Sequence, residues 1–360
     1  MLNTERNNQI DKDGLAEAIF GNIKGRGFIF GRADEDWDIK RKHTALAFYK
    51  APMYDMQENF KRVVMQSINK WVKEIKESKD GKTTINLVDE FMLIYSRNII
   101  TISMGGDDHS CVELPLQHKN PDNLDELITK PTPLWKGFNL MISDDVHQMG
   151  NRLLNPMNYF WNYTHKLFPF GKFQHATDNN GRIMRAYVKK IVEERIEFNK
   201  NHKSDKVEFD FLNHILSDKE AFHSLDGIVD NVCDFFSAAA QTTQAGTMTA
   251  QCHLVKEPED LQKVRAEYEK VKANAIANGV KLDGLTKEEQ LDKILNATSV
   301  DQFDYTGCVA MEALRYQSPS STSTDIMFLE DMEVCNYKFK KGDKLGFVND
   351  KGLHHNTSQW

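Results

Sequence analysis

Charge of one sign is not in large excess in this sequence, because 46 lysine and arginine residues stand against 53 aspartate and glutamate residues. The formal net charge is therefore −7, and both signs are spread along the 360 residues without a long basic block. Proteins that bind nucleic acid usually carry a basic patch or stripe. The charge pattern thus argues against a nucleic-acid partner.

Cysteine is also scarce, and its few residues form no CxxC pair and no regular framework. The five cysteines are Cys111, Cys233, Cys252, Cys308 and Cys335. Small secreted domains that depend on disulfides have paired and regularly spaced cysteines. We therefore expect no disulfides and a reduced compartment that faces the cytosol.

Long apolar runs are missing as well. The first residues, MLNTERNNQIDKDG, contain no apolar core of the kind that a signal peptide or membrane anchor needs, so the chain itself is expected to be soluble. The longest uncharged stretch, 235–255, could span a bilayer by length, but Ser, Gln, Thr and His residues interrupt it. We expect this stretch to be buried within protein.

Apolar residues are nevertheless present in a clear helical pattern. From Leu225 to Phe236 they recur at steps of three and four, and Ser224 is placed to cap the first turn. The pattern predicts a long helix over 224–256, which ends before Pro258. Because its second half carries no charge on any face, we expect it to be enclosed on all sides.

The remaining patterns are mainly helical. Pro258 suits the first turn of the next helix, and DMEVCNYKFKKGDKLGFV predicts a small β-hairpin around Lys341-Gly342-Asp343. We predict one domain over 1–360 that is mainly α with a small β-sheet. Further helices are predicted at 34–50, 56–78, 85–103, 180–201 and 302–317.

The middle of the long predicted helix carries the first motif, Ala238-Ala239-Ala240-Gln241-Thr242-Thr243. It resembles the Ala/Gly-Gly-x-acid-Thr-Thr/Ser motif in the central helix of the cytochrome P450 family. Small residues let a flat macrocycle lie close to the backbone, and a mid-helix threonine can bond a preceding carbonyl and open the helix locally. The alternative is a run of small residues that packs tightly against a neighbouring helix.

A second motif, Glu312-Ala313-Leu314-Arg315, resembles the Glu-x-x-Arg of the same family, and it is likewise followed by a proline and a hairpin. One helical turn makes Glu312 and Arg315 neighbours, so the guanidinium can bind the carboxylate through two hydrogen bonds. The alternative is an ordinary ion pair on an exposed helix face.

The third motif, Trp37-Asp38-Ile39-Lys40-Arg41, matches the Trp-x-x-x-Arg of the family's haem-edge helix, and the preceding GRGFIFGRADED is similar to its usual lead-in. Trp37 and Arg41 share one helix face. An indole N–H and a guanidinium both suit a haem propionate, which accepts several hydrogen bonds. The alternative is an amphipathic helix with its tryptophan in the core.

The three motifs occur in the family's order, and the resemblance extends from about residue 25 to Trp360. It implies an incomplete cytochrome P450-like fold and a haem-dependent monooxygenase, which inserts one oxygen atom from O2 into an apolar organic substrate. It also implies a redox partner such as a flavoprotein reductase. A complete parent protein would lie at the cytosolic face of the endoplasmic reticulum membrane.

The resemblance also assigns roles to individual residues. Trp37, Arg41 and Ala239 would contact the haem. Thr242 and Gln241 occupy the catalytic positions of the central helix. The pair of Glu312 and Arg315 would stiffen the fold below the haem.

The resemblance breaks at the iron ligand. In the family this is the cysteine of Phe-x-x-Gly-x-Arg-x-Cys-x-Gly, and none of the five cysteines here has glycine four residues before and two after it. His354 and His355 are no substitute, because only a thiolate pushes enough electron density onto iron. In addition, Gln241 replaces the usual acid, and no arginine follows Arg315.

These departures predict that the chain is truncated at both ends, contains no metal ligand and is inactive as it stands. The alternative reading belongs to another functional class. In that reading the chain is a non-catalytic helical remnant that acts as a binding or interaction protein, or that has no function.

Overall fold

The computed structural model describes residues 9–12, 25, 27, 29, 31, 34–104, 109–141, 172–201, 210–319, 326–334 and 336–346. The chain divides into two compact units. The first unit comprises Met1–Ala47, Ser103–Ala238 and Ser323–Phe347, and the second comprises Phe48–Ile102, Ala239–Thr322 and Val348–Trp360. The single domain expected from the sequence stays a prediction. Cys335, His354 and His355 lie outside the described residues.

Helices make up most of the described chain, which confirms the predicted mainly α fold. The helices are α1 (Glu35–Ala45), α2 (Lys50–Glu77), α3 (Leu87–Met104), α4 (134–141), α5 (Lys172–Asn201), α6 (Phe211–Ser217), α7 (Leu225–Lys256), α8 (Pro258–Ala277), α9 (Lys287–Ile294), α10 (Ala297–Val300) and α11 (Asp304–Tyr316). The strands are β1 (Ile10–Lys12), β2 (Glu113–Lys119), β3 (Leu127–Pro133), β4 (Ile326–Phe328), β5 (Met332–Val334), β6 (Tyr337–Phe339) and β7 (Lys344–Leu345).

The strands form small antiparallel sheets in the order β1-β4-β7, β2-β3 and β5-β6. The C-terminal hairpin exists, but its predicted turn is wrong. Strands β5 and β6 pair through a turn at Asn336, which has a φ of 68°. The predicted turn around Gly342 leads instead into β7, which pairs with β4. The N–H of Gly342 donates to the carbonyl of Phe328 at 2.7 Å.

In the first unit, α5 supports the hairpin of β2 and β3. The buried side chain of Asn180 donates to the carbonyl of Gln117 at 2.9 Å and accepts from its N–H at 2.8 Å. A Cβ on Gly137 of α4 would lie 2.8 Å from Leu116 of β2, so the two elements are in close contact. Helix α4 thus packs against the hairpin, and the side-chain amide of Asn180 binds the backbone at the edge of β2.

In the first unit a buried ion pair joins α5 and the start of α6 to Met104, the last residue of α3. Arg195 of α5 donates to the carboxylate of Asp210 at 2.7 Å and to the carbonyl of Met104, at the end of α3, at 2.9 Å. Asp210 also caps α6, because its side chain accepts the N–H of Asn213 at 2.6 Å. One guanidinium therefore serves the end of α3 and the start of α6.

Helix α7 has 32 residues and is the longest of the described helices, as the sequence predicted. Its first half is buried. There Phe236 stacks on Phe138 with ring centres 4.3 Å apart, and Phe235 stacks on Phe211 at 4.4 Å. Face-offset ring pairs of this kind contribute stability beyond their buried area.

The second half of α7 does not meet the expectation of complete enclosure. Thr242 and Thr243 are exposed, Val255 is 78% exposed, and Gln244 is the buried residue between them at 6%. Exposing a small neutral side chain such as threonine to water costs little free energy. A stretch without charge therefore tolerates burial but does not require it. That prediction is wrong for these described residues.

One hydrophobic cluster of the second unit lies between α2, α3 and the second half of α7. Val63, Phe91 and Ile94 form its buried centre, and Met248 of α7 packs against them. Another cluster is centred on Val271, Leu282 and Ile294. None of the helices, as far as the structure describes them, has the length and apolar character needed to cross a membrane.

Candidate functional site

Trp37 and Arg41 lie on one face of α1, as their spacing predicted. The helix begins at its cap Asp34, whose carboxylate accepts the N–H of Trp37 at 2.8 Å. The guanidinium carbon of Arg41 lies 5.0 Å from the centre of the Trp37 ring, which is a cation–π distance. Trp37 is half-buried and Arg41 is exposed. The pair therefore presents an indole and a guanidinium together.

These donors fit the carboxylate edge of a haem. A guanidinium fork and an indole N–H are suitable partners for a propionate, which can accept several hydrogen bonds at once. The iron itself would need a thiolate ligand for this chemistry. Within the described ranges, no group of three or more His, Cys, Asp and Glu side chains is placed to hold a metal ion.

The buried cysteine of α7 does not meet the needs of an iron ligand either. Cys233 is fully buried, and burial is the main reason why its pKa is raised to about 12. Only the thiolate form binds metal, and this thiol stays protonated at neutral pH. Trp37 and Arg41 therefore fit one edge of the group, and Cys233 supplies no thiolate to it.

The middle of α7 is fixed to α3 by polar side chains. Gln244 donates to the carbonyl of Val88 at 2.9 Å, and the Tyr95 hydroxyl donates to Thr247 at 2.8 Å. Burial raises the pKa of Tyr95, and its bond to Thr247 opposes that shift. The Thr247 hydroxyl in turn donates to the carbonyl of Thr243 at 2.9 Å, which is the back-bonding expected of threonine within a helix.

Thr242 lies on a different side of α7 from these contacts. At about 100° per residue, Thr242 is roughly 160° from Gln244 but only about 40° from Gly246. At Gly246 a Cβ would lie 3.1 Å from Leu314 of α11, and His253 meets the Tyr316 ring edge to face at 4.4 Å. Thr242 thus shares its stripe with the residues that contact α11.

Glu312 and Arg315 form the predicted pair on α11. The guanidinium donates from Nη2 to Oε1 at 2.6 Å and from Nε to Oε2 at 2.7 Å. Hydrogen bonding to Glu312 raises the pKa of Arg315. The two side chains are 60% and 36% exposed, so solvent screens the pair and its effect on stability is small.

The start of α11 is held by a carboxylate from α8. Glu267 accepts the N–H groups of Tyr305 and Thr306 at 2.6 and 2.9 Å and the Thr306 hydroxyl at 2.7 Å. Burial opposes ionisation, but the bonds from Thr306 and Tyr305 and the charge of Lys270 outweigh it. They hold the pKa of Glu267 below its usual 4.5. A negative charge at a helix N-terminus is also favoured by the helix dipole.

This arrangement predicts an acid-dependent loss of stability. Because the folded pKa of Glu267 is lowered, its contribution is present above pH 4.5 and is lost as the pH falls through the folded value. Glu267→Gln should therefore lower the urea midpoint at pH 7 and have a smaller effect well below pH 4.5. The control is Glu269→Gln, an exposed glutamate of the same helix. An equal loss at both pH values would contradict the role of the charge.

The structure brings some of the predicted site residues together. Thr242, Glu312 and Arg315 belong to the second unit, as do the half-buried Ala239 and Gln241. Trp37 and Arg41 belong to the first unit. The roles expected of these residues at the haem stay predictions.

The polar residues that fix the site were not found from the sequence. Glu267, Gln244 and Tyr95 act on partners that are far away along the chain or on another helix. No local spacing marks such residues, since each looks like an ordinary polar residue of a helix. A helix that starts after Phe303, whose side chain cannot cap it, is a sequence signal that could have pointed to a capping group from elsewhere.

The family model described as Cytochrome P450 matches residues 6–360. Geraniol 8-hydroxylase of Catharanthus roseus is 22% identical over 203 residues, which are 56% of this chain and 37% of that protein. (1S)-1-hydroxy-luvungin A synthase of Citrus sinensis is 26% identical over 197 residues, 54% of this chain and 36% of that protein. The matched stretch thus spans little more than a third of each relative. Because the family model matches nearly the whole of these 360 residues, the chain belongs to the cytochrome P450 family.

Proposed function

We propose that the whole protein is a haem-dependent monooxygenase that inserts one oxygen atom from O2 into an apolar organic substrate. Its electrons would come from a redox partner such as a flavoprotein reductase, at the cytosolic face of the endoplasmic reticulum membrane. Family membership supports the oxidoreductase class. The name of one relative, geraniol 8-hydroxylase, supports hydroxylation as the type of reaction.

The observation that carries the proposal is the contact between α11 and the Thr242 stripe of α7. Gly246 and His253, which follow Thr242 on that stripe, contact Leu314 and Tyr316 beside the Glu312–Arg315 pair. Two of the three motifs therefore meet on packed helices. A chance ion pair on an unrelated surface helix would have no reason to lie there.

The chain's own residues have separate tasks in this proposal. When bound, the haem supplies the oxygen chemistry. Trp37 and Arg41 donate hydrogen bonds to one of its carboxylates. The Thr242 hydroxyl holds and passes a proton towards the oxygen site, while the amide of Gln241 cannot ionise and so cannot act as the usual acid.

We further propose that these 360 residues form no thiolate-ligated haem by themselves, because no cysteine lies in the family's glycine-containing loop. Purified chain should be mixed with haem, reduced and exposed to carbon monoxide. The red-shifted Soret band of thiolate ligation should be absent from the chain and present in the whole protein. That band in the 360-residue chain would refute the claim, and its absence from the whole protein would refute the monooxygenase proposal.

Thr242→Val is expected to uncouple the reaction in the whole protein. Valine has nearly the same shape but no hydroxyl, so haem binding should be retained while hydrogen peroxide per reductant consumed rises severalfold. Thr243→Val is the matched control, because Thr243 points about 100° away on the same helix. Equal product yield per reductant in wild type and Thr242→Val would show that the hydroxyl has no part in proton delivery.

A second candidate, a non-catalytic helical remnant, is favoured by the state of the cysteines. Cys233 is protonated and buried, while Cys111, Cys252 and Cys308 are exposed outside any loop motif. Reading the gene and its transcripts after Trp360 separates the two candidates. A downstream segment with the cysteine loop supports the enzyme, and transcripts that end at Trp360 support the remnant.

A further inference from the structure

Gly25, Gly27 and Ile29, which belong to the lead-in to α1, lie directly against the buried half of α7. A Cβ built on Gly27 would overlap the carboxylate of Asp234, and one on Gly25 would overlap that of Asp230. Gly25 also has a φ of +62°, which favours glycine for a second reason. The two glycines therefore allow the lead-in to approach two successive carboxylates on one face of α7.

Asp234 holds this segment by a hydrogen bond. It is fully buried, at 0% exposure, and its Oδ2 accepts the backbone N–H of Ile29 at 2.7 Å. A bond between a backbone donor and a buried carboxylate is stronger than one between neutral groups. The position of Ile29 is therefore set by a side chain of α7.

The connection continues from Ile29 to the donors of α1. The N–H of Gly31 donates to the carbonyl of Gly27 at 2.9 Å, so the lead-in is closed into a turn around Ile29. A Cβ on Gly31 would lie 3.6 Å from Cδ1 of Trp37, so the turn contacts the indole edge. Arg41 in turn lies over the Trp37 ring. A series of contacts thus connects the carboxyl group of Asp234 with the guanidinium of Arg41.

The neighbouring acid has a different partner. Asp230, one turn earlier on α7, binds the guanidinium of Arg185 of α5 at 2.5 Å. Its charge is therefore balanced by an arginine, whereas Asp234 binds the backbone of the lead-in. Asp234 is therefore the one of these two acids whose described hydrogen bond goes to the backbone of the lead-in.

We propose that Asp234 is a positioning residue for Trp37 and Arg41, and that its carboxylate sets the orientation in which they meet a haem carboxylate. The inference rests on the proposed function, because that function gives Trp37 and Arg41 their partner. Asp234 does not itself touch the haem. Its effect reaches the site through Ile29 and the turn that contacts Trp37.

The test measures haem release from the whole protein to excess apomyoglobin. Asp234→Ala removes the acceptor for Ile29, and Gly27→Ala pushes the lead-in away while leaving Asp234 in place. Both should accelerate haem release about tenfold, which corresponds to the loss of one charge-assisted hydrogen bond. Asp234→Asn keeps an acceptor oxygen and should stay within about threefold of wild type. Asp226→Ala, an exposed acid on the same helix, should have no effect.

A double-mutant cycle separates positioning from general destabilisation. If Asp234 acts through Trp37 and Arg41, then Asp234→Ala should add little to the faster release caused by Trp37→Phe and Arg41→Leu together. Additive effects, or wild-type release in both Asp234→Ala and Gly27→Ala, would overturn the inference while the proposed function stands. Wild-type release in Arg41→Leu would instead show that Arg41 does not hold the haem, and the inference would fall with that contact. If Asp234→Ala does not fold, Gly27→Ala in the same cycle decides.

Discussion

Arg195→Met is expected to lower the free energy of unfolding by about 3–5 kcal/mol, because it leaves a buried carboxylate without its counter-charge. The side chains of Arg195 and Asp210 are only 15% and 7% exposed, so water cannot replace the lost partner. The carbonyl of Met104 loses a donor in the same substitution. Urea unfolding at pH 7 measures the change.

The same helix supplies a matched control. Lys190 and Glu194 also form an ion pair on α5, at 3.7 Å, but they are 65% and 59% exposed. Lys190→Met should therefore change stability by no more than about 0.5 kcal/mol. A similar loss in the two methionine variants would show that the buried pair has no special importance.

Asp210→Asn separates charge from capping at this junction. The amide oxygen can still accept the N–H of Asn213, so α6 keeps its cap, while Arg195 loses the negative charge. We expect most of the loss seen in Arg195→Met. Unchanged stability would mean that Asp210 serves as a helix cap and that its ion pair contributes little.

Asn180→Leu is expected to lower the free energy of unfolding by about 2–4 kcal/mol, because both backbone groups of Gln117 lose their partner in a partly buried place. Asn180 is 1% exposed and makes two hydrogen bonds to that single residue. Leucine has a similar volume, so the loss comes mainly from unsatisfied polar groups. Hydrogen exchange of the Gln117 amide should become faster as well.

The neighbouring residue is the control for this substitution. Asn179 precedes Asn180 on α5 but is exposed. Asn179→Leu should change stability by about 0.5 kcal/mol or less. Fast exchange at Gln117 in the Asn179 variant, or slow exchange in the Asn180 variant, would contradict the assigned contact.

The longer helices were predicted well because their periodic apolar residues face a core, whereas the short helices α4, α6, α9 and α10 were not predicted. The long helix was expected over 224–256 and runs over Leu225–Lys256, and the pair of Glu312 and Arg315 follows from helical spacing alone. The burial of the second half of the long helix was predicted wrongly, because Thr242, Thr243 and Val255 are exposed. A stretch of uncharged residues tolerates both burial and exposure to water. Contacts with residues that are distant in the sequence decide which of the two occurs.

The hairpin of β2 and β3 was missed for a different reason. Pro115, Pro131 and Pro133 interrupt its two strands, and proline normally argues against a strand. Asn180 and Arg195 were missed too, since their partners are a backbone amide and a carbonyl on other elements. Pairings of this kind depend on the tertiary fold, and no periodicity of the sequence contains them.

Those prolines affect how the hairpin behaves towards other protein chains. Asn180 binds both backbone groups of Gln117 from outside the hairpin, so Gln117 and its partner Thr129 direct their backbone polar groups outwards. Pro131 and Pro133, two and four residues after Thr129, occupy the equivalent outward positions and have no N–H to offer. This outer edge of β3, which pairs with no other strand among the described residues, is therefore a poor template for a strand from another molecule, which protects a short sheet from edge-to-edge aggregation.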